Sequence, residues 1–107
     1  LFNNPRGVAV DSSFNVYVSD TSNHIIRKIT PAGAVGTLAG SAGLSGSTNG
    51  NGAAARFNKP VGIVVDSNGN VYVADTYNNK IKAITIKTSA TRTLAEETRW
   101  MRAIMRV

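Results

Sequence analysis

The chain has no cysteine, a single histidine and a single tryptophan. The first absence excludes a disulfide framework and any thiolate-bound metal centre, though it leaves the compartment open, because many secreted proteins also lack cysteine. The second leaves few ligands for a metal enzyme, which needs His, Glu or Asp clustered around an open coordination position. Acidic residues are scarce as well, six against twelve Lys and Arg. No apolar run approaches the roughly 20 residues of a membrane-spanning helix. The chain opens LFNNP, with neither an initiator Met nor a charged-then-apolar leader, and is expected to be a piece of something longer.

What is present is an ordinary globular balance, 107 residues of which 42% are hydrophobic and 17% charged. That length supports one small domain with one core. A net charge of +6 permits contact with phosphate backbones or an acidic surface. Much of the excess falls in the last part of the chain, however, and the rest is scattered rather than gathered in a run.

The informative feature is repetition. Residues 2–30, FNNPRGVAVDSSFNVYVSDTSNHIIRKIT, return as residues 57–85, FNKPVGIVVDSNGNVYVADTYNNKIKAIT, identical at more than half of the positions. A period of this size marks a propeller, solenoid or array. Within each unit the pattern is β. GVAVD and GIVVD are short apolar runs, followed after a polar turn by NVYVSD and NVYVAD, so each pair reads as a hairpin. The second turn contains Asn68-Gly69, which suits a positive φ, whereas Ser13-Phe14 in the first is expected to turn differently. IIRKIT and KIKAIT give a third strand, and AVGTLAG a fourth. The apolar residues run together instead of alternating, which predicts strands covered on both faces, as when blade stacks on blade.

These residues resemble the NHL repeat of β-propellers, with Asn23-His24 at the pair that names the family and Asn78-Asn79 in the second copy. The resemblance implies an all-β fold of two four-stranded antiparallel blades, residues 1–40 and 57–95. A Gly/Ser/Asn-rich loop over 41–56 joins them, and an atypical basic tail over 96–107 follows. Propellers close with about four to eight blades, so two blades leave stacking faces bare. Assembly is therefore expected, by a head-to-tail contact that closes into a homotrimer with six blades, or alternatively a homotetramer with eight.

The repeated signature residues read as structural. Pro5, Gly7, Pro60 and Gly62 open the first strands, where glycine permits close approach of backbones. Asp11, Asp20, Asp66 and Asp75 end strands, where a short carboxylate accepts hydrogen bonds from turn amides. Asp66-x-Asn68-x-Asn70 starts like a calcium loop, but Val71 replaces its glycine and Tyr77 its closing acid. His24, beside Asn23 and replaced by Asn79 in the repeat, reads as a loop-ordering residue. Tyr17 and Tyr72 read as filling space between blades. The Gly-rich stretch 40–57 matches no phosphate-binding pattern and reads as a connection.

Three functions follow in order. The first is a noncatalytic scaffold or interaction module that binds a protein or peptide at a ring end, with no cofactor and no metal. The second, which the family resemblance allows, is RNA or other polyanion binding on a basic face built from Arg6, Arg27, Lys28, Lys80 and Lys82. The third is an enzyme like the lyases and lactonases among related propellers, for which the single histidine is a poor start.

The tail breaks the repeat after Ala95. Read as it stands, Thr93 and Glu96 form a capping box, and Leu94, Met101, Ile104 and Met105 share one face of a short basic amphipathic helix. Read one frame away, the codons for residues 95–106 can spell Gly-Arg-Asp-Ala-Val-Asp-Ala-Gly-Asp-His-Ala-Arg, which resembles an interblade loop. The second reading predicts that the coding DNA, followed in that frame past Ala95, resumes repeat-like sequence; a frame without it refutes an out-of-frame tail.

Overall fold

Every regular element of the computed structural model is a strand or a short 3-10 turn, and the residues it describes are 1–96. Strands β1 (Pro5–Val10), β2 (Val16–Asp20), β3 (Ile25–Ile29) and β4 (Val35–Ala39) form one antiparallel sheet in sequence order. Beyond it come β5 (Gly50–Asn51), β6 (Ile63–Val65), β7 (Val71–Asp75), β8 (Lys80–Thr85) and β9 (Ala90–Glu96), arranged β5-β9-β8-β7-β6. The expected four strands of the second blade are therefore joined by a fifth. It comes from the Gly-rich connection, where Gly50 pairs with Thr91 and Asn51 with Ala90. The capping box expected at Thr93 and Glu96 is not formed, because both residues, with Leu94 between them, extend β9 in its ladder with β8; the remainder of the helical and frame-shifted readings falls on residues 97–107, outside the described residues.

The hairpins are closed by their aspartates. Asp11 Oδ1 accepts from the amides of Ser13 and Asn15, each at 2.9 Å, and Asp66 Oδ1 accepts from Asn68 and Asn70 at the same distance. The other oxygen of each takes a tyrosine hydroxyl, Tyr17 at 2.9 Å and Tyr72 at 2.8 Å. Burial pulls the Asp11 carboxyl up, but the hydrogen bonds from Asn15, Tyr17 and Ser13 outweigh it and leave it below its ordinary value. Asp66 is likewise held low, chiefly by the Tyr72 hydroxyl. Burial and the Asp11 contact push the Tyr17 phenol up to about 12.

The two turns prove to be the same, against expectation. Phe14 N donates to Asp11 O and Gly69 N to Asp66 O, both at 3.1 Å, and Phe14 takes φ 66° where Gly69 takes 85°. The Asp-centred hydrogen bonds and the flanking strands dictate the backbone, and Phe14 adopts the left-handed region that glycine occupies without cost. It does so while 74% exposed, so little packing offsets the strain. Phe14→Gly is accordingly expected to stabilise the chain by about 1 kcal/mol, the relief of left-handed strain less the added freedom of the unfolded glycine, read as an upward shift of the urea midpoint with unchanged slope.

The core lies between the sheets. Tyr17, Ile26, Leu38 and Ala39 of the first blade meet Phe57, Ile63, Val71, Val73 and Ile84 of the second, all buried. The cover on both faces that the unbroken apolar runs led one to expect is not found: each blade is covered by the other on one face only. On the other faces Val8, Val10 and Val64 are 65%, 56% and 61% exposed.

Candidate functional site

The chemistry of the chain is concentrated in the joint between blades. The lead-in to the second blade, residues 59–61, crosses the end of the first, and three side chains of blade 1 catch its backbone. The Lys59 amide donates to His24 Nδ1 at 3.1 Å, Thr21 Oγ1 donates to Pro60 O at 2.7 Å, and Ser19 Oγ donates to Val61 O at 2.6 Å. Ser19 Oγ also receives the Gly7 amide at 2.8 Å. The approach requires glycine at position 7, since a Cβ there would collide with Val61 O and lie 2.6 Å from Ser19 Oγ. His24 therefore does more than order its own loop: it bonds across the joint, from a left-handed position with φ 60°.

The repeated aspartate–asparagine pairs hold each lead-in to its own blade. Asp20 accepts from the Asn3 amide at 2.7 Å and from Asn23 Nδ2 at 2.9 Å; Asp75 accepts from the Asn58 amide and Asn78 Nδ2, both at 2.7 Å. Each asparagine also reaches a carbonyl, Asn23 to Leu1 O at 3.1 Å and Asn78 to Gly46 O at 2.6 Å.

Of the five cations expected on a polyanion-binding face, Lys82 is not on a surface at all. It is fully buried, its ammonium donating to Ser47 O at 2.8 Å and Arg56 O at 2.9 Å, 3.7 Å from Asp75 Oδ2 and 5.4 Å above the Phe57 ring. The sign of the pattern was in the sequence: Lys82 pairs with Val73, so it shares the inward face of β7 and β8. Burial is the dominant influence on both partners, lowering the Lys82 ammonium and raising the Asp75 carboxyl against their mutual attraction. Arg27, the repeat equivalent of Lys82, lies 5.2 Å over the Phe2 ring, and Lys28 lies 6.0 Å over Tyr17. Adjacent on β3, the two project to opposite faces. Arg6 is exposed beside the open face of blade 1, and Lys80 is half-buried at the start of β8.

That open face is the other half of the site. Phe2, Val8, Val16, Val18 and Ile29 line a groove there. Their repeat equivalents, Phe57, Ile63, Val71, Val73 and Ile84, are the very residues that blade 1 covers in the joint. At the far side of blade 2, Gly62, Ala74, Thr76 and Asn79 repeat Gly7, Ser19, Thr21 and His24. Gly62 meets only Ala74 Cβ at 3.3 Å, and Val64 beside it is exposed. The chain thus carries one closed joint and, on its two outer faces, residues that repeat those on either side of it.

Sheets stacked face to face through a glycine-permitted backbone contact define a pair of propeller blades. The NHL repeat matches residues 2–29 and 57–84, more than half of the sequence, and the chain belongs to the NHL repeat family. It is 37% identical over 87 residues to human NHL repeat-containing protein 2, a match that takes in 78% of this chain and only 12% of that protein. A protein of unknown function from Bacteroides thetaiotaomicron superposes with a TM-score of 0.70 at 30% identity, over 79% of this chain and 22% of its own. The virginiamycin B lyase of Staphylococcus aureus superposes with a TM-score of 0.65 over 89% of this chain and 28% of its own. At 18% identity that likeness is one of fold.

Lys82→Met removes the counter-charge and leaves Asp75 buried. The expected loss at neutral pH is about 3–5 kcal/mol. The Asp75 carboxyl, already above its ordinary value of 3.8, moves further up in the variant. A raised folded-state value gives stability that is complete below the unfolded value and lost as pH rises through the folded one. The deficit is therefore expected to shrink on acidification, measured by urea denaturation of both chains at pH 7 and pH 4.

Proposed function

We propose that the chain is a noncatalytic NHL-type propeller module that self-assembles from two-bladed units. The carrying observation is that the groove on blade 1 repeats, residue for residue, the face that blade 2 presents to the closed joint. A second copy offers Gly62 and Val64 to Phe2 and Val8 as Gly7 and Ala9 are offered to Phe57 and Ile63. The contact is heterologous, so rotation carries it to a ring: a homotrimer with six blades, with a homotetramer of eight as the alternative. A protein or peptide bound at a ring end is the ligand class that such scaffolds suit. The noncatalytic part of the reading rests on how the polar groups are used. All four aspartates accept main-chain and side-chain hydrogen bonds within the blades, and His24 holds the joint. The buried Lys82 and the opposed Arg27 and Lys28 weigh against the polyanion reading.

The joint between copies is expected to be weaker than the internal one, because Ala74 and Asn79 stand where Ser19 and His24 make two of its three polar contacts. Light scattering after size exclusion at several concentrations should show a discrete trimer or tetramer dissociating on dilution. Gly62→Ala should leave a folded monomer, since within its own blade its Cβ meets only the Ala74 methyl, at 3.3 Å, and asks that methyl to give by a few tenths of an ångström, whereas in a joint built like the internal one it meets the neighbour's backbone. Ala74→Ser with Asn79→His should lower the dissociation constant about tenfold, the worth of roughly one recovered buried hydrogen bond. A monomer at every concentration for all three chains overturns self-assembly.

A further inference from the structure

The three polar contacts that hold the joint between the blades differ in kind. Thr21 and Ser19 give hydroxyl hydrogens to the carbonyls of Pro60 and Val61, whereas His24 takes the Lys59 amide hydrogen on Nδ1 at 3.1 Å. A hydroxyl keeps its hydrogen at any ordinary pH. The imidazole accepts at Nδ1 only while it is neutral with its own hydrogen on Nε2, because an imidazolium carries hydrogen on both nitrogens and accepts nothing. Histidine is also the side chain that ordinarily changes charge between about pH 5 and pH 8. His24 is only half-buried, which leaves solvent a way to the ring.

Nothing around the ring is placed to hold its charged form. Asp20, at the start of the same turn, has its oxygens taken by the Asn3 amide and by Asn23 Nδ2, at 2.7 and 2.9 Å. The lead-in brings one charged side chain, Lys59, whose ammonium lies 4.8 Å from the centre of the Tyr77 ring. The connection that crosses the turn, where Gly43 N donates to Asn23 O, has no titratable side chain over residues 40–44. Among the described residues no carboxylate forms an ion pair with the imidazole. Protonation therefore turns an acceptor into a second donor facing the Lys59 amide, and adds a positive charge that no counter-charge meets.

We propose that His24 is a pH-sensitive catch on the joint between the blades. Neutral, it holds the lead-in of blade 2 against the end of blade 1; protonated, it lets go at Lys59 and leaves the lead-in on the two hydroxyl contacts. The joint is tight at neutral pH and looser in acid, since a proton is taken up where the bond is lost. The second copy of the repeat has Asn79 at this place, which does not titrate, so the device belongs to this joint. It concerns a contact inside the chain and goes beyond ring closure.

The test is NMR of the isotope-labelled full chain from about pH 8 to about pH 5, the range over which histidine titrates. It follows the His24 ring, the Lys59 amide, and amide exchange corrected for its intrinsic pH dependence. The Lys59 amide should shift with the same midpoint as the ring, and its protection should fall about fivefold across that midpoint, the loss of one hydrogen bond. Two neighbours separate this from other effects of acid. Val61 N donates to Ala74 O within blade 2 and should keep its protection, while Asn58 N donates to Asp75 Oδ1 and should follow that carboxyl instead. In His24→Phe, whose ring accepts no such bond, Lys59 protection should be low throughout and show no step. The proposal is overturned if the Lys59 amide does not move with the His24 ring, if it moves with Asn58 instead, if Val61 loses protection in equal measure, or if His24→Phe keeps the step. The first three outcomes are read on the unaltered chain, so they decide the matter even where the variant does not fold. A chain that stays monomeric at every concentration can still pass, so this catch and self-assembly fail independently.

Discussion

The structure depends on how near the Val61 carbonyl comes to Gly7. Stacked sheets ordinarily stand about 10 Å apart, held off by their side chains, and only a residue without a Cβ lets backbone meet side-chain oxygen as Val61, Gly7 and Ser19 do here. That single approach sets the rest of the joint. It brings the lead-in carbonyls within reach of Thr21 and Ser19, lays Ile63 against the first blade, and closes the core over Tyr17 and Phe57. A joint with a Cβ at position 7 would have to open, and the three polar contacts would lengthen together.

Lys82 imposes a second constraint, on a segment with no regular pattern of its own. A buried ammonium is poor evidence for stability, because desolvation consumes most of what its partners return. What it supplies is specificity: it accepts only a chain path that presents carbonyls from Ser47 and Arg56 at once, beside Asp75. A Gly-rich connection with little side-chain preference thereby acquires one route across the blade. Further bonds from Gly40 N to Gly52 O and from Gly52 N to Ser89 O tie it at its middle.

The repeat made the strands and their register legible before any coordinates, because side chains that pack are repeated wherever the packing is. The aspartate turns were legible for the same reason. Two features were obscured by reading residues singly. Phe14 looked incompatible with the turn that Gly69 makes, since propensity favours glycine at positive φ; the network around Asp11 is worth more than that preference. Lys82 looked like a surface cation by its charge, although its strand parity with Val73 placed it inside. Strand β5 left no trace in the sequence, because Gly50 and Asn51 are held by their backbones and by β9, and neither residue type favours a strand.

The closed joint explains how so small a unit can be folded with the outer face of blade 1 left bare. Covering Phe2, Val8 and Val10 would return about 1.5–3 kcal/mol for each side chain, while bringing two molecules together costs an estimated 4–15 kcal/mol or more in lost freedom. The apolar face by itself comes close to cancelling that cost. Inside the chain the linker has already met it, so the joint forms with its three polar contacts as surplus. In the proposed contact between copies the cost would be met afresh with fewer such contacts, because Ala74 and Asn79 offer less than Ser19 and His24. The final contact of the proposed ring would differ again, since both halves would already be tethered and the effective concentration high. Linear intermediates would then be disfavoured at both ends, and such an assembly would form as a whole ring or hardly at all.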